Sequence, residues 1–409
     1  MLFGDPGRLV SQSSWTPSGD SGVVRPIDPS QLIPLKGDLH PLAQARFDKG
    51  PAPRSDPSGR IFLLLRHNQA RQQALTQYLS DLQNPASQVY HKWLTPAQYG
   101  ARFGASPSDI QQVESWLQSY GLNIDKVPPA NNVIEFSGTV NEVQNAFHTS
   151  IDTFVIQGKK YFANISDPQI PAALGPVIAG VGPLNNFGPR PNVKISATGT
   201  WNSTTHSIQP TFTLFDNNSP YLFVDPADAA TIYDTPNRTL NPTYTAGQSY
   251  TGSRAAIGIV GTSNVYMPDI ANYRTSFLGE SSANANLPNV IVDGNDPGIV
   301  PGGAGLEALL DNEVAGGLAP GAKIDFYTSA GSDLSDGMLN ATARAIDDNT
   351  VDILNISFSA CEAQLGTSGN ALILELDEQA AAQGITLTVG AGDGGSAGCD
   401  NFDIVAHNF

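Results

Sequence analysis

Cysteine is nearly absent. Only Cys361 and Cys399 occur in 409 residues, and only six histidines accompany them. Two thiols cannot hold a structural zinc ion unaided, and no C-x-x-C or H-E-x-x-H spacing is present. They are either one disulfide or two buried thiols. Charge is sparse, at 14% of residues, and mostly of one sign: 38 Asp and Glu face 21 Lys and Arg, for a net charge of −17. A surface of that sign repels nucleic acid and anionic lipid, so neither is expected as a partner. It also suits a protein that meets acid, where carboxylates neutralise. No apolar run approaches the ~18 residues that a membrane helix requires, so no membrane span is expected. The opening residues, MLFGDPGRLV, carry neither a basic n-region nor an apolar h-region, and so do not read as a signal peptide.

What is present is enough for packed cores. Hydrophobic residues make up 40% of the chain, and 40 glycines with 30 prolines imply many turns without a Gly-X-Y period. The length allows about two to three domains. Residues 1–38 are polar and proline-bearing, and read as a disordered lead-in. Residues 39–188 have an α+β texture. The run RIFLLLRH (60–67) reads as a strand, 68–83 as a helix with apolar residues at helical spacing, and 106–120 as a helix capped by Ser106 or Ser108 and closed at Gly121. A strand over 132–138, a helix over 140–148 and two strands around Gly158 follow, in the order of a split β-α-β sandwich. Residues 189–220 are rich in Pro, Asn, Ser and Thr and read as a linker accessible to proteases.

From residue 221 onward, strands and helices alternate. Strands are expected at 255–261, 289–292, 323–327, 353–358 and 386–390, and helices at 269–278, 305–317, 335–347 and 370–383. Apolar strands separated by helices imply a doubly wound parallel sheet, with its active site beyond the carboxyl ends of the strands.

The chemistry of this region does not favour a histidine base. His40, His67, His91 and His148 lie in the first domain, His206 in the linker and His407 at the end. No G-x-S-x-G elbow occurs. Carboxylates remain. Glu307 and Asp311 stand at i and i+4 in GAGLEALLDNEV, on one helix face, with apolar Leu306, Ala308, Leu309, Leu310 and Val314 around them, so part of this helix is expected to be buried. Two close carboxylates out of water share a proton, and one of them can serve as a base in acid. The same spacing also suits an acidic patch near a helix N-terminus. Asp393, in VGAGDGG after an apolar strand, is placed to donate to an oxyanion when protonated, or is a plain turn aspartate.

Together these segments resemble the sedolisin family of serine-carboxyl peptidases. NPASQVYHKWLTPAQYGARFG (84–104), IEFSGTVNEVQNAFHT (134–149), YFANISDPQIPAAL (161–174) and VIAGVGPLNNF (177–187) are similar to the phrases of the family's activation domain, in order. PADAATIYD (226–234) resembles the start of the mature enzyme. Glu307 and Asp311 followed by LAPGAKI (318–324) match its catalytic helix, and VGAGDGGSAGC (389–399) matches its oxyanion motif. The resemblance implies a subtilisin-like sheet, incomplete here, preceded by a ferredoxin-like prodomain. It implies Glu307 as general base, Asp311 as its support and Asp393 as oxyanion donor. It favours a Cys361–Cys399 disulfide. ILNISFSACE (353–362) departs from the family's Ser-x-Ser-x-Gly by placing Asn355 and Ser359 at the first Ser and the Gly, which bears on substrate preference.

The family's nucleophilic serine, in a Gly-Thr-Ser motif, and its calcium site are expected beyond Phe409. Gly261-Thr262-Ser263 follows the first sheet strand, too early in the order to be that motif. The expectation is a secreted, monomeric acid peptidase precursor of domains 39–188, 189–220 and 221–409, acting on proteins or peptides, with a propeptide packed on its own catalytic domain. A non-catalytic fragment, or a module that keeps only the propeptide's inhibitory role, is the alternative.

Overall fold

The computed structural model describes residues 22, 23, 25–191, 193, 199–202, 204, 207–210, 215, 216, 219, 220, 224–281, 284–331, 334 and 336–393. The first half runs β1 (Leu32–Pro34), β2 (Asp48–Pro51), β3 (Ile61–Leu65), α1 (Gln69–Gln83), α2 (Pro96–Arg102), α3 (Pro107–Ser119), β4 (Asn123–Lys126), β5 (Val133–Ser137), α4 (Val140–Phe147), β6 (Ile151–Ile156), β7 (Lys159–Asn164), β8 (Gln169–Pro171) and β9 (Ile178–Gly182). Local chemistry starts the helices where the sequence signals them. Asn68 accepts from Arg71 N at 2.9 Å to open α1, and Ser106 accepts from Asp109 N at 3.1 Å to open α3, with Pro107 in the first turn. Thr139 and Glu142 form a reciprocal capping box at α4.

Strands β4-β5-β3-β9 form an antiparallel sheet in that order. Taking these four in chain order, the arrangement is 2-3-1-4, a split β-α-β pattern with β5 between β3 and β4. Both faces of this sheet are covered. Ile61, Leu63 and Leu65 of β3 point into a core with Val113, Trp116 and Leu117 of α3 and Val143 and Phe147 of α4. The alternate residues Phe62 and Leu64, with Val133, enter a second core made mostly by the other half of the chain.

That half begins with short strands β10 (Arg190–Pro191), β11 (Gly199–Asn202), β12 (Ser207–Pro210), β13 (Phe215–Asp216) and β14 (Ser219–Pro220). It continues through α5 (Pro226–Ile232), β15 (Ala256–Gly261), α6 (Met267–Leu278), β16 (Asn289–Val292), α7 (Gly303–Leu318), β17 (Lys323–Thr328), α8 (Gly337–Asp348), β18 (Ile353–Ile356), β19 (Phe358–Ser359), α9 (Glu362–Gln383) and β20 (Thr386–Val389). Strands β16-β17-β15-β18-β20 make one parallel sheet. Period-two alternation again divides its faces. Ile259, Ile324 and Phe326 pack with Ile270 of α6 and Ala308 of α7, whereas Val260, Tyr327, Leu354 and Ile356 pack with residues of α8 and α9.

The expected elements differ in three places. Helix α9 starts at Glu362, not 370, because Gly366 (φ 68°) kinks it and hides the first turns from a periodicity reading. The expected strand 353–358 divides at Ser357, and β19 leaves the sheet to pair with β10. On α7, part of which was expected to be buried, the buried positions are Glu307, Ala308, Asn312, Gly316 and Gly317, while Leu306, Leu310 and Val314 are exposed at 37%, 44% and 44%. The lead-in contributes structure from residue 22: Gly22 and Val23 donate to the Asp109 carboxylate, and β1 pairs with β8. Residues 1–21 lie outside the described residues.

The halves meet along α9. Asp38 accepts from Ser368 N at 2.7 Å and Ser368 Oγ at 2.6 Å, while Val181 N donates to that same hydroxyl at 3.2 Å. Lys126 donates to Asp347 at 2.6 Å, and Arg60 bridges Glu135 and Asp293. Gly180 of β9 makes this approach possible: a Cβ there would meet Ser368 Oγ at 2.5 Å and Ser368 Cα at 3.1 Å. Gly180→Val is expected to destabilise the chain by about 1–3 kcal/mol. Urea unfolding checks this, and a wild-type midpoint would refute the close packing of α9 on β9.

Candidate active site

Helix α7 carries Glu307 and Asp311 one turn apart, on the side that faces the sheet. Glu307 is only 4% exposed. Burial pushes its carboxyl up to about 7, with the charge of Asp311 beside it adding and that of Asp393 contributing further; hydrogen bonds from Val193 N and Ser357 oppose the rise. Asp311 is pushed up to about 6 by burial, against the pull of hydrogen bonds from Ser357 and Asn355. Ionising both together is costly, so the pair retains a proton to a higher pH than two free carboxylates would.

A relay of side chains orients the pair. Thr388 Oγ1, on β20, donates to Asn355 Oδ1 at 3.1 Å. Asn355 Nδ2 then donates to Ser357 Oγ at 3.0 Å, and Ser357 Oγ donates to Asp311 Oδ1 at 2.9 Å. The relay crosses from the edge strand through β18 to α7. Asn355 was singled out in the sequence as a departure from the family pattern. Ser357 and Thr388 were not assigned roles. The signal for them was their place at or next to the carboxyl ends of parallel strands.

Asp393 follows β20 after three residues, is exposed, and sits next to Gly392 in the left-handed region (φ 82°). Its charge reaches Glu307, so the three carboxylates singled out by the sequence share one electrostatic neighbourhood. The end of the first half lies across the same place. Arg190 and Pro191 pair antiparallel with Ser359 and Phe358, and Pro191 and Val193 stand near Gly303 at the start of α7. Val193 N reaches Glu307.

Two other expectations have outcomes here. Ser263 is fully buried; its hydroxyl donates to Asn264 O at 2.8 Å and accepts from Val300 N at 2.9 Å, so it is not a free nucleophile. Cys361 is disulfide-bonded. Cys399, the other cysteine of the sequence, lies outside the described residues, as do His206 and His407.

Residues 46–187 match the pro-kumamolisin activation domain. Over 334 residues the chain is 28% identical to xanthomonalisin of Xanthomonas sp. (strain T-22), covering 79% of this chain and 38% of that protein. It is 30% identical over 306 residues to kumamolisin of Bacillus sp. (strain MN-32), covering 73% and 50% respectively. It is 26% identical over 345 residues to sedolisin of Pseudomonas sp. (strain 101), covering 80% and 53%. The chain thus spans about half, or less, of the length of these relatives. A solved structure of Pseudomonas sedolisin, a serine-carboxyl proteinase complexed with two molecules of pseudo-iodotyrostatin, aligns over 43% of this chain and 46% of its own at 26% identity and a TM-score of 0.34.

The raised carboxyls give a signed prediction. A carboxyl whose folded pKa lies above its unfolded value contributes stability that is fully present below about pH 4 and is lost as pH rises through the folded value. For Asp311 and Glu307 those folded values are about 6 and about 7. Glu307→Gln removes one such group. The stability of this variant relative to wild type is therefore expected to rise between pH 4 and pH 8. Urea midpoints at both pH values test it, and a pH-independent difference would show that Glu307 is not a displaced carboxyl.

Proposed function

This chain is a sedolisin-family, precursor-like protein, and from that premise we propose that it comprises the propeptide and the first part of the catalytic domain of an acid-acting serine-type endopeptidase. In this reading residues 39–188 are the propeptide, with a ferredoxin-like strand order. Residues 189–220 hold the activation region, and residues 221–409 open a subtilisin-like sheet. The observation that carries the proposal is the placement of Arg190, Pro191 and Val193. Arg190 and Pro191 pair antiparallel with Ser359 and Phe358, and the backbone N–H of Val193 reaches Glu307, as the chain of a peptide substrate would.

The chemistry follows from the carboxylates. The nucleophilic serine belongs to a segment expected beyond Phe409. As its oxygen attacks the peptide carbonyl, Glu307 takes its proton, and Asp311 holds Glu307 in place. Protonated Asp393 donates to the oxyanion that develops. Glu307 then returns the proton to the leaving amine, and water resolves the acyl-enzyme with Glu307 again as base. A shared-proton carboxyl pair can perform this in acid, where an imidazole is already charged. Substrates are proteins or peptides, and the setting is extracellular, with the protein acting as a monomer.

The resemblance implies calcium, whose ligands would come from the same later segment as the nucleophilic serine. Among the described residues the cluster with metal-ligand spacing, His67, Glu375 and Glu378, contains an imidazole, unlike the six to eight oxygens that calcium takes.

The first test uses a reading frame continued to include the Gly-Thr-Ser segment. That protein is expected to hydrolyse casein in acid, and Glu307→Gln or Asp393→Asn to lower kcat/KM by about 10²–10⁴-fold. The 409-residue chain alone is expected to be inactive. Full activity in Glu307→Gln, or active-site-directed cleavage by the 409-residue chain, would overturn the assignment.

A second test concerns propeptide release. His40 is 5% exposed, stacks on Phe187 at a centroid distance of 4.1 Å, and lies with Asp336, Gln364 and Leu365 in a cleft between the halves. Burial pushes its imidazole down to about 3, and the Arg190 charge lowers it further. A base with a depressed folded pKa favours the released state as pH falls from its ordinary 6.5 towards 3. His40→Phe keeps a ring on Phe187 and is expected to shift release of the first half to lower pH, read as susceptibility of the 190–191 segment to an added protease. An unchanged pH midpoint would remove His40 from the process.

A further inference from the structure

His67 lies just past β3, and its side chain is 5% exposed. Its Nδ1 stands 3.1 Å from Gln72 Oε1, and Gln72 Nε2 donates to Glu378 Oε1 at 2.9 Å. Because the amide nitrogen of Gln72 is committed to Glu378, its oxygen faces the imidazole, and Nδ1 must carry the hydrogen. Nε2 is then the other end of the ring. It is buried and makes no hydrogen bond. Glu375 Oε1 stands 3.5 Å from it, and one ligand atom from each of His67, Glu375 and Glu378 lies within 4.8 Å of the other two.

With the imidazole neutral, its buried Nε2 lone pair faces the Glu375 carboxylate with no donor between them, an arrangement that a cation would relieve. Glu375 Oε1, the oxygen nearest Nε2, also accepts from Tyr99 OH at 2.9 Å and Asn132 Nδ2 at 3.1 Å, which fix its position. Glu375 and Glu378 stand at i and i+3 on α9, a spacing that presents both carboxylates on one helix face.

We propose that His67, Glu375 and Glu378 form a site for a divalent transition-metal ion of the zinc class, bridging the first half of the chain to helix α9. One imidazole and two carboxylates with a fourth position open to water suit zinc, whose ligands lie ~2.0–2.2 Å from the metal. The 3.5 Å between Nε2 and Glu375 Oε1 is the separation that two such bonds span at a tetrahedral ion. Gln72 supplies what metal-bound histidines usually have, a partner for the other ring nitrogen, and it restrains one of the carboxylates as well. Glu378 is only half-buried, which leaves a path for the ion. The ligands come from both halves, so a bound ion ties the propeptide-like half to the catalytic-like half. By linkage it stabilises the docked state and opposes release. The inference rests on this interface alone and stands or falls independently of the peptidase reading.

The test uses the full 409-residue chain without a histidine tag. Co²⁺ titrated into the chain is expected to give the visible bands of four-coordinate cobalt, saturating at one equivalent and displaced by Zn²⁺, with a rise in the thermal midpoint. His67→Gln and Glu378→Gln are expected to abolish the one-equivalent spectrum, and Gln72→Leu to weaken the affinity by about 10–100-fold. If folded wild-type chain gives no saturable cobalt spectrum, His67 and Glu375 are simply an ion pair and the proposal is wrong. It is equally wrong if both ligand variants keep the wild-type spectrum. The wild-type titration decides even if a variant fails to fold.

Discussion

The structure depends on a strand that is apolar on both sides. Five consecutive residues of β3, Ile-Phe-Leu-Leu-Leu, are buried, and a pleated strand sends neighbours to opposite faces. Helices α3 and α4 cover one face. On the other face Phe62 and Leu64, with Val133 and Ala179 of the same sheet, are covered by residues of α8 and α9. The first half is therefore not a finished unit in the way its own compact topology suggests. Leaving Phe62, Leu64 and Val133 in water would forfeit about 1.5–3 kcal/mol for each side chain. The same requirement sets the position of α9, and α9 in turn sets β20, whose Thr388 begins the relay to Asp311.

Around this small apolar patch the contact is polar, and every polar group costs desolvation unless it is paired. The pairings are dense: Ser368 with Asp38 and Val181, Tyr99 and Asn132 with Glu375, Asn132 with Gln379, and Lys126 with Asp347. Directional bonds fix one docked geometry while leaving less apolar surface to expose on separation. A propeptide that must both template a fold and later leave needs that balance.

Most of the elements were legible because their signals are local. Ser106 announces the start of α3, apolar spacing announces α1, and alternating strands and helices after residue 221 announce a parallel sheet. Glu307 and Asp311 were legible because helix spacing alone makes them neighbours. What was not legible is non-local. The apolar residues Leu306, Ala308, Leu309, Leu310 and Val314 implied that part of α7 is buried without saying which part; the buried positions are Glu307, Ala308, Asn312, Gly316 and Gly317. Period cannot tell which side of a mostly apolar helix the sheet will meet. The start of α9 was hidden by Gly366, since a kink breaks the phase on which periodicity depends. The pairing of residues 190–191 with 358–359 joins segments far apart in the chain, and no pattern within either one specifies it.

The signs of the displaced groups separate two roles along the same interface. Burial raises the carboxyls of Asp38, Glu135, Asp347 and Glu378. A raised carboxyl accepts its proton more readily docked than free, so acid does not by itself drive these groups apart. The acidic composition, which first suggested a protein suited to low pH, is thus matched by an interface whose buried carboxyls tolerate low pH. His40 has the opposite sign, because burial penalises its charged form and Arg190 stands beside it. It sits against Phe187, three residues before the segment that crosses Glu307. Charging it would loosen the end of the first half where that end covers the candidate site, while the contacts with α9 remain. On this view opening begins at residues 187–193, and separation from α9 is a later and distinct event, governed by the Phe62–Leu64 patch and whatever holds His67 to Glu375 and Glu378.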